Sequence, residues 1–194
     1  MPIRGVCCAP GSANVKNNNP HMLTAQPCEV PPNSFLLQYK DGPGYADCYV
    51  IKVPGTVTQA AYIEAFYTSP LFKIERTLLQ YLASKPATDA DAKALAGGAA
   101  TRFSAWRVEA QSSSELLLAD FSGRTRSWLM VAPGPLGNDL PGTLLYFGSA
   151  VVPLSSQGAQ SMGWLFHALL GFHRLYSRLL LGAASQRVRP SNRN

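Results

Sequence analysis

The period of the apolar positions changes twice along this chain. Tyr45 to Val53 (YADCYVIKV) is rich in aromatic and β-branched residues, and turn residues bound it at Asp41-Gly42-Pro43-Gly44 and Pro54-Gly55. That composition predicts a strand. From Thr56 onward the spacing becomes helical, with Tyr62, Ala65 and Phe66 on one side. Thr58, or Thr56 together with Gln59, can cap the start. Ser69-Pro70 interrupts the run and opens a second helix, with Ser69 as N-cap and Pro70 as first helical residue. Its expected stripe is Leu71, Ile74, Leu78 and Leu82, with Lys73, Arg76 and Gln80 facing outward. Thr88 with Asp91 reads as a capping box for a short helix ending near Gly97-Gly98.

The extended period then takes over. Strands are expected at Arg102–Ala110, Glu115–Phe121, Arg124–Ala132 and Thr143–Val152, and Ser122-Gly123 links two of them as a hairpin. Such a turn sets Asp120 opposite Thr125, on one face with Leu118, Ser127 and Leu129; Arg124, Arg126 and Trp128 take the other face. Residues 133–142 carry three prolines and three glycines and read as a loop. The last element, Trp164–Ala184, is a helix with His167, Gly171, Arg174 and Arg178 on one narrow stripe. Leu165, Leu169, Phe172, Tyr176, Leu179 and Leu180 lie opposite, as in a helix buried over most of its circumference.

Ahead of these elements, Ser34–Tyr39 (SFLLQY) reads as a further short strand. Residues 1–34 hold Asn17-Asn18-Asn19-Pro20, Pro27, Pro31 and Pro32 and few large apolar side chains, so an unstructured leader is expected there. The division expected is thus a leader over 1–34, one α+β domain over 35–184 and a basic, unstructured tail over 185–194. The fold class is an antiparallel sheet of about five to seven strands wrapped on a long C-terminal helix, with a helix pair after the first strand.

Composition narrows the function classes. The chain has 194 residues, of which 46% are hydrophobic and only 14% charged, enough apolar material for one core. The formal charge is +6, and after Trp164 come five arginines (Arg174, Arg178, Arg187, Arg189, Arg193) and no acid. A solubilising tail is the preferred reading, with contact to an anionic membrane surface as the alternative. No nucleic-acid-binding signature accompanies the charge, and nucleic acid is not an expected partner.

Cys7, Cys8, Cys28 and Cys48 have neither the spacing nor the histidine partners of a zinc site. Reduced thiols in a cytoplasmic protein are the simplest account. The N-terminus lacks the apolar stretch of a secretory signal. The apolar run from Trp164 to Leu181 carries Arg174 and Arg178, which disfavours a membrane span. Phosphate-binding loops, dinucleotide fingerprints, nucleophile elbows and metalloprotease motifs are all missing from the sequence, so no cofactor and no metal is expected.

The order strand, helix pair, antiparallel meander, long apolar helix resembles the START-like (SRPBCC, helix-grip) superfamily over about Tyr45 to Ala184. The texture resembles its uncharacterised bacterial members at Ala105-Trp106-Arg107-Val108, at the Gly-Arg-Thr-Arg-Ser-Trp-Leu run of 123–129, and at Gly171-Phe172-His173-Arg174-Leu175-Tyr176. The resemblance implies a curved sheet wrapped on the last helix around an apolar cavity. It also implies a lipid-like or aromatic ligand and, in some members, a cyclase or transfer activity.

The residues singled out for a ligand site are His173, Tyr176, Asp120 and Trp106. His173 lies at the edge of the apolar face of the last helix, where an imidazole can donate a hydrogen bond or move a proton; a core histidine is the plainer reading. Asp120 with hydroxyl neighbours suits acid–base work, although an Asp at a strand end more often bonds its own turn. Trp106 and Trp128 read as packing residues first. Asp47 and Tyr49 share a face with Tyr45 and Ile51 and can supply polar contacts inside a pocket. Binding of a hydrophobic small molecule is the first expectation, with a cyclase- or dehydratase-like enzyme or a membrane-surface protein as alternatives.

Overall fold

The computed structural model describes residues 24–41, 44–74, 87–135, 140–152 and 163–188, with side chains of the last helix from Leu175 onward. The strands are β1 (Gln26–Pro27), β2 (Tyr45–Pro54), β3 (Arg102–Phe103), β4 (Trp106–Gln111), β5 (Glu115–Asp120), β6 (Thr125–Pro133) and β7 (Gly142–Val151). They form one antiparallel sheet in the order β1-β2-β7-β6-β5-β4-β3. The helices are α1 (Gln59–Tyr67), α2 (Asp89–Ala96) and α3 (Gly163–Val188), and residues 70–74 are also helical. The chain is therefore α+β, an open antiparallel sheet with a C-terminal helix. None of the described helices is long and apolar enough to cross a membrane.

Side-chain oxygens accept from orphan N–H groups at the starts of α1, of the helix after Ser69 and of α2. Thr58 Oγ1 accepts from the Ala61 N–H at 3.2 Å, and Ser69 Oγ from the Phe72 N–H at 3.3 Å. At α2 the capping box is complete: Thr88 Oγ1 accepts from Asp91 N–H at 3.2 Å while Asp91 Oδ2 accepts from Thr88 N–H at 2.8 Å. The helix after Ser69 packs Leu71 on the core as expected and also buries Phe72, but leaves Ile74 exposed; Leu78 and Leu82 lie outside the described residues.

The sheet is covered on both faces. On one, α1 packs against α2 and α3, and α3 against β2 and β7. The core there is built from Ile51, Leu118, Leu129 and Phe147 of the sheet with Phe66 and Tyr67 of α1 and Leu181 of α3. Its centre is filled by rings: Phe66 lies 5.1 Å from Tyr67 and 5.0 Å from Phe147, and Tyr67 5.0 Å from Phe103, centroid to centroid. These tilted and edge-on pairs are the arrangement the ring quadrupoles favour.

The opposite face is covered by residues 28–40, which cross the sheet as an irregular strap. Val30 and Leu36 pack on Cys48, Leu117, Trp128 and Ala150, all buried. Gly148, in the middle of β7, makes room for this contact: a Cβ there would come within 2.4 Å of Leu36 Cδ2, 2.8 Å of the Asp47 carbonyl oxygen and 3.0 Å of Trp128 Cε3. Two polar latches hold the strap. Glu115 Oε2 accepts from the Phe35 N–H and from Trp128 Nε1, each at 2.8 Å. Arg126 pairs with Glu109 at 2.8 Å and stacks its guanidinium 4.9 Å from the Tyr39 ring, whose hydroxyl also donates to Glu109. A β-bulge between Val108 and Ala110 leaves Glu109 outside the ladder and available for that latch.

Three expectations need correction. Ser34–Tyr39 is not a strand: Leu37 N–H bonds to Ser34 O and Tyr39 N–H to Leu36 O, closing a 3-10 turn over Leu37–Tyr39. A segment that crosses a sheet face has no strand edge to pair with and must satisfy its backbone locally. The leader expected through residue 34 does not extend that far, because 24–34 carry β1 and the buried Ala25 and Val30; residues 1–23 lie outside the described residues. Arg126 and Trp128, on the face opposite Asp120, lie under the strap, and Trp128 is a packing residue as expected. The last helix is not buried most of the way round over its described length: Leu175 and Leu179 are exposed, and the buried line is Ser177, Leu180, Leu181, Ala184 and Ser185. Small residues on that line let the helix approach the sheet closely, so two leucines are left outside.

Candidate functional site

The alternation of β2 turns Tyr45, Asp47, Tyr49 and Ile51 toward the helices. Ladder pairing then aligns Asp47 with Ser149, Ser149 with Ser127, and Ser127 with Leu118 in one row across four strands. Ser127 and Ser149 are buried, as is Tyr49. Asp47 is the hub: its Oδ1 accepts from Ser149 Oγ at 2.6 Å, and its Oδ2 accepts from the hydroxyls of Tyr49 at 3.3 Å and Tyr45 at 3.4 Å. Three hydroxyl donors thus converge on one carboxylate. Hydrogen bonds to an ionised acceptor are the stronger kind, so the cluster fixes the two tyrosine rings.

This cluster opens on a cleft of ≈ 600 Å³ between the β1–β2 edge and α3. Its walls are Tyr45, Asp47 and Tyr49 of β2, Pro27 to Val30, Lys40, and Leu175 and Arg178 of α3. The exposed Leu175 supplies apolar surface at the lip. Arg178 Nε donates to the Ala25 carbonyl at 3.2 Å and ties α3 to the segment before β1. Lys40 pairs with Glu29 at 2.6 Å on the outer rim; exposed pairs of this kind add little stability. No group of three or more metal-ligating side chains occurs among the described residues.

The four side chains chosen from the sequence do not converge here. Trp106 pairs directly with Asp120 across β4 and β5, so those two do share the helix-facing side. They stand three and four strands from β2, about 14–19 Å at the usual spacing, and one small ligand in the cleft does not reach them. Trp106 packs on the main core, and its Nε1–H is buried with no hydrogen-bond partner among the described residues. Tyr176 is half-buried against the same core. His173 falls on helical backbone, and its side chain lies outside the described residues, as does that of His167.

Asp120 serves its own turn. Its Oδ1 accepts from the Thr125 N–H at 3.0 Å and its Oδ2 from Ser122 Oγ at 2.5 Å, in the register expected from the hairpin. Partial burial pushes its carboxyl up, but bonds from the Ser122 hydroxyl and from backbone N–H groups outweigh this and the net shift is downward. A carboxylate held ionised is a poor general acid near neutrality.

Asp47 was visible in the sequence as a strand residue sharing a face with two tyrosines, but nothing marked it above other polar strand residues. Its partner Ser149 lies 102 positions away, and only the pairing of β2 with β7 joins them. No protein-family model and no curated protein sequence matches the chain.

Proposed function

We propose that this chain binds a small, largely hydrophobic molecule between its sheet and its C-terminal helix. The observation that carries this reading is the Asp47–Tyr45–Tyr49–Ser149 cluster opening on the ≈ 600 Å³ cleft under α3. Small-molecule sites typically enclose ~300–1,000 Å³, mostly apolar, with a few placed polar groups that orient the ligand. The element order supports a helix-grip relationship: β2, helices, five further strands in sequence, then a long helix that packs on β2 and β7. A lipid-like or aromatic body would lie along Leu175 and the tyrosine rings, gaining about 25 cal/mol per Å² of apolar surface removed from water. A hydroxyl or amide on that body would donate to the Asp47 carboxylate or accept from a tyrosine. With rings filling the centre of the core, the position this reading gives the ligand is the sheet edge.

Native mass spectrometry of the full chain as purified, then with a panel of fatty acids and flavonoid-like aromatics, tests the reading. A co-purified or added ligand should appear as a mass adduct, and Asp47→Asn should weaken it by about tenfold, the value of one hydrogen bond to a charged group. A clean apo mass with no adduct across the panel would overturn it.

A further inference from the structure

We infer that Cys28 and Cys48 are a dithiol–disulfide couple, oxidised by a small disulfide that reaches Cys28 from the cleft. The register that sets Pro27 against Tyr49 places Cys28 directly opposite Cys48, and the Cys28 N–H bonds to the Cys48 carbonyl at 2.9 Å. Antiparallel residues that share a ladder bond have Cα atoms about 5.5 Å apart, within the ~4.4–6.8 Å that a disulfide spans. Both side chains lie on the same side of this pair, with Sγ atoms 3.1 Å apart and the Cys28 thiol donating to Cys48. Covalent closure therefore needs a side-chain adjustment and no backbone movement.

The two thiols differ in access. Cys48 is buried beneath the strap, whereas Cys28 is half-exposed; both contribute to the cleft wall. Sharing a proton with the adjacent Cys28 sulfur and burial both push the Cys48 thiol up, so Cys48 stays protonated until its neighbour has reacted. The sequence of events follows. The Cys28 thiolate attacks one sulfur of the small disulfide, expelling the first thiolate and leaving a mixed disulfide on Cys28. The hydrogen bond that Cys28 gave to Cys48 is lost at this step. Cys48 then gives up its proton and attacks Cys28 Sγ, expelling the second thiolate. The two expelled thiolates take up the two protons, and both electrons end on the former small disulfide. The product fastens β1, a strand of two residues, to the edge of β2.

The full chain equilibrated with excess glutathione disulfide tests this, with free thiols then alkylated and peptides mapped by mass spectrometry. A Cys28–Cys48 linked peptide is expected, with the chain lighter by two hydrogens relative to the reduced protein. In Cys48→Ser the reaction should stop at Cys28 carrying one glutathione, and in Cys28→Ser the Cys48 thiol should remain unmodified in the folded protein. Hydrogen exchange at residues 26–30 should slow about tenfold on oxidation. Full alkylation of both Cys28 and Cys48 after the challenge would overturn the inference. Linkage of either to Cys7 or Cys8 in preference to each other would do the same.

Discussion

The two faces of this sheet are closed in different ways. The helix side is a layer of regular elements meeting in a cluster of tilted and edge-on rings, Phe66, Tyr67, Phe72, Phe103 and Phe147, where hydrophobic burial is spread over some twenty side chains. The strap side has six buried residues at its centre and is held by a few specific polar bonds that reach far along the chain, Glu115 to Phe35 and Arg126 with Glu109 to Tyr39. Area holds the first face and geometry holds the second. A face held by geometry is the one that can open while the rest stays folded.

Substitutions on each face sharpen that contrast. Phe66→Ala should cost the most, about 3–5 kcal/mol of global stability by chemical denaturation, because the ring touches Tyr62, Tyr67, Phe72 and Phe147 at once. Leu36→Ala should cost about 2–4 kcal/mol, and its hydrogen-exchange signature should be local, with amides of 24–40 released well before those of α1. Uniform acceleration along the chain would mean that the strap is no separate unit. Glu115→Ala strips the acceptor from two buried donors and should cost about 2–3 kcal/mol. Its near-ultraviolet signal should report a freed Trp128. Gly148→Ala should lose about 1–3 kcal/mol through overpacking, and Leu36→Ala combined with it should recover only part of that loss, since the nearest clash is with Leu36 while that with the Asp47 carbonyl oxygen remains.

The smallest effect is a pH dependence at the hairpin. The Asp120 carboxyl is shifted down in the folded chain, so its stabilisation is present above the unfolded value of about 3.9 and disappears as pH falls through the folded one. The stability difference between wild type and Asp120→Asn should accordingly shrink below about pH 4, by a few tenths of a kcal/mol for so exposed a group. A difference that grows on acidification would contradict the turn-anchor role.

Local chemistry was the legible part of this sequence. Thr58, Ser69 and the Thr88–Asp91 box cap their helices where the residues said they would, and Asp120 stands opposite Thr125, because capping and turn formation depend on neighbours within five positions. The strap was not legible: Ser34–Tyr39 is apolar enough for a strand, and only contact with Gly148 and Trp128 makes it a turn. Gly148 did carry a signal, since a glycine inside a strand often marks a close backbone approach. The cleft was legible only as a list of polar strand residues. Asp47 acquires its meaning from Ser149 and from the place of β2 beside the two-residue edge strand β1, and both follow from strand order, which no short window contains.

The strap also sets an order of events in time. Residues 24–41 leave the ribosome before any strand they cover, and the first latch partner, Glu109, follows Tyr39 by 70 positions; Arg178, which holds Ala25, follows by 153. At ~5–20 residues per second the strap waits several seconds for its first partner and longer for its last. Its docking closes the longest loops in the chain, the contacts that are slowest to form. A nascent chain halted after β6 would display Val30, Phe35 and Leu36 with nowhere to put them, and that is the species a holding chaperone would meet.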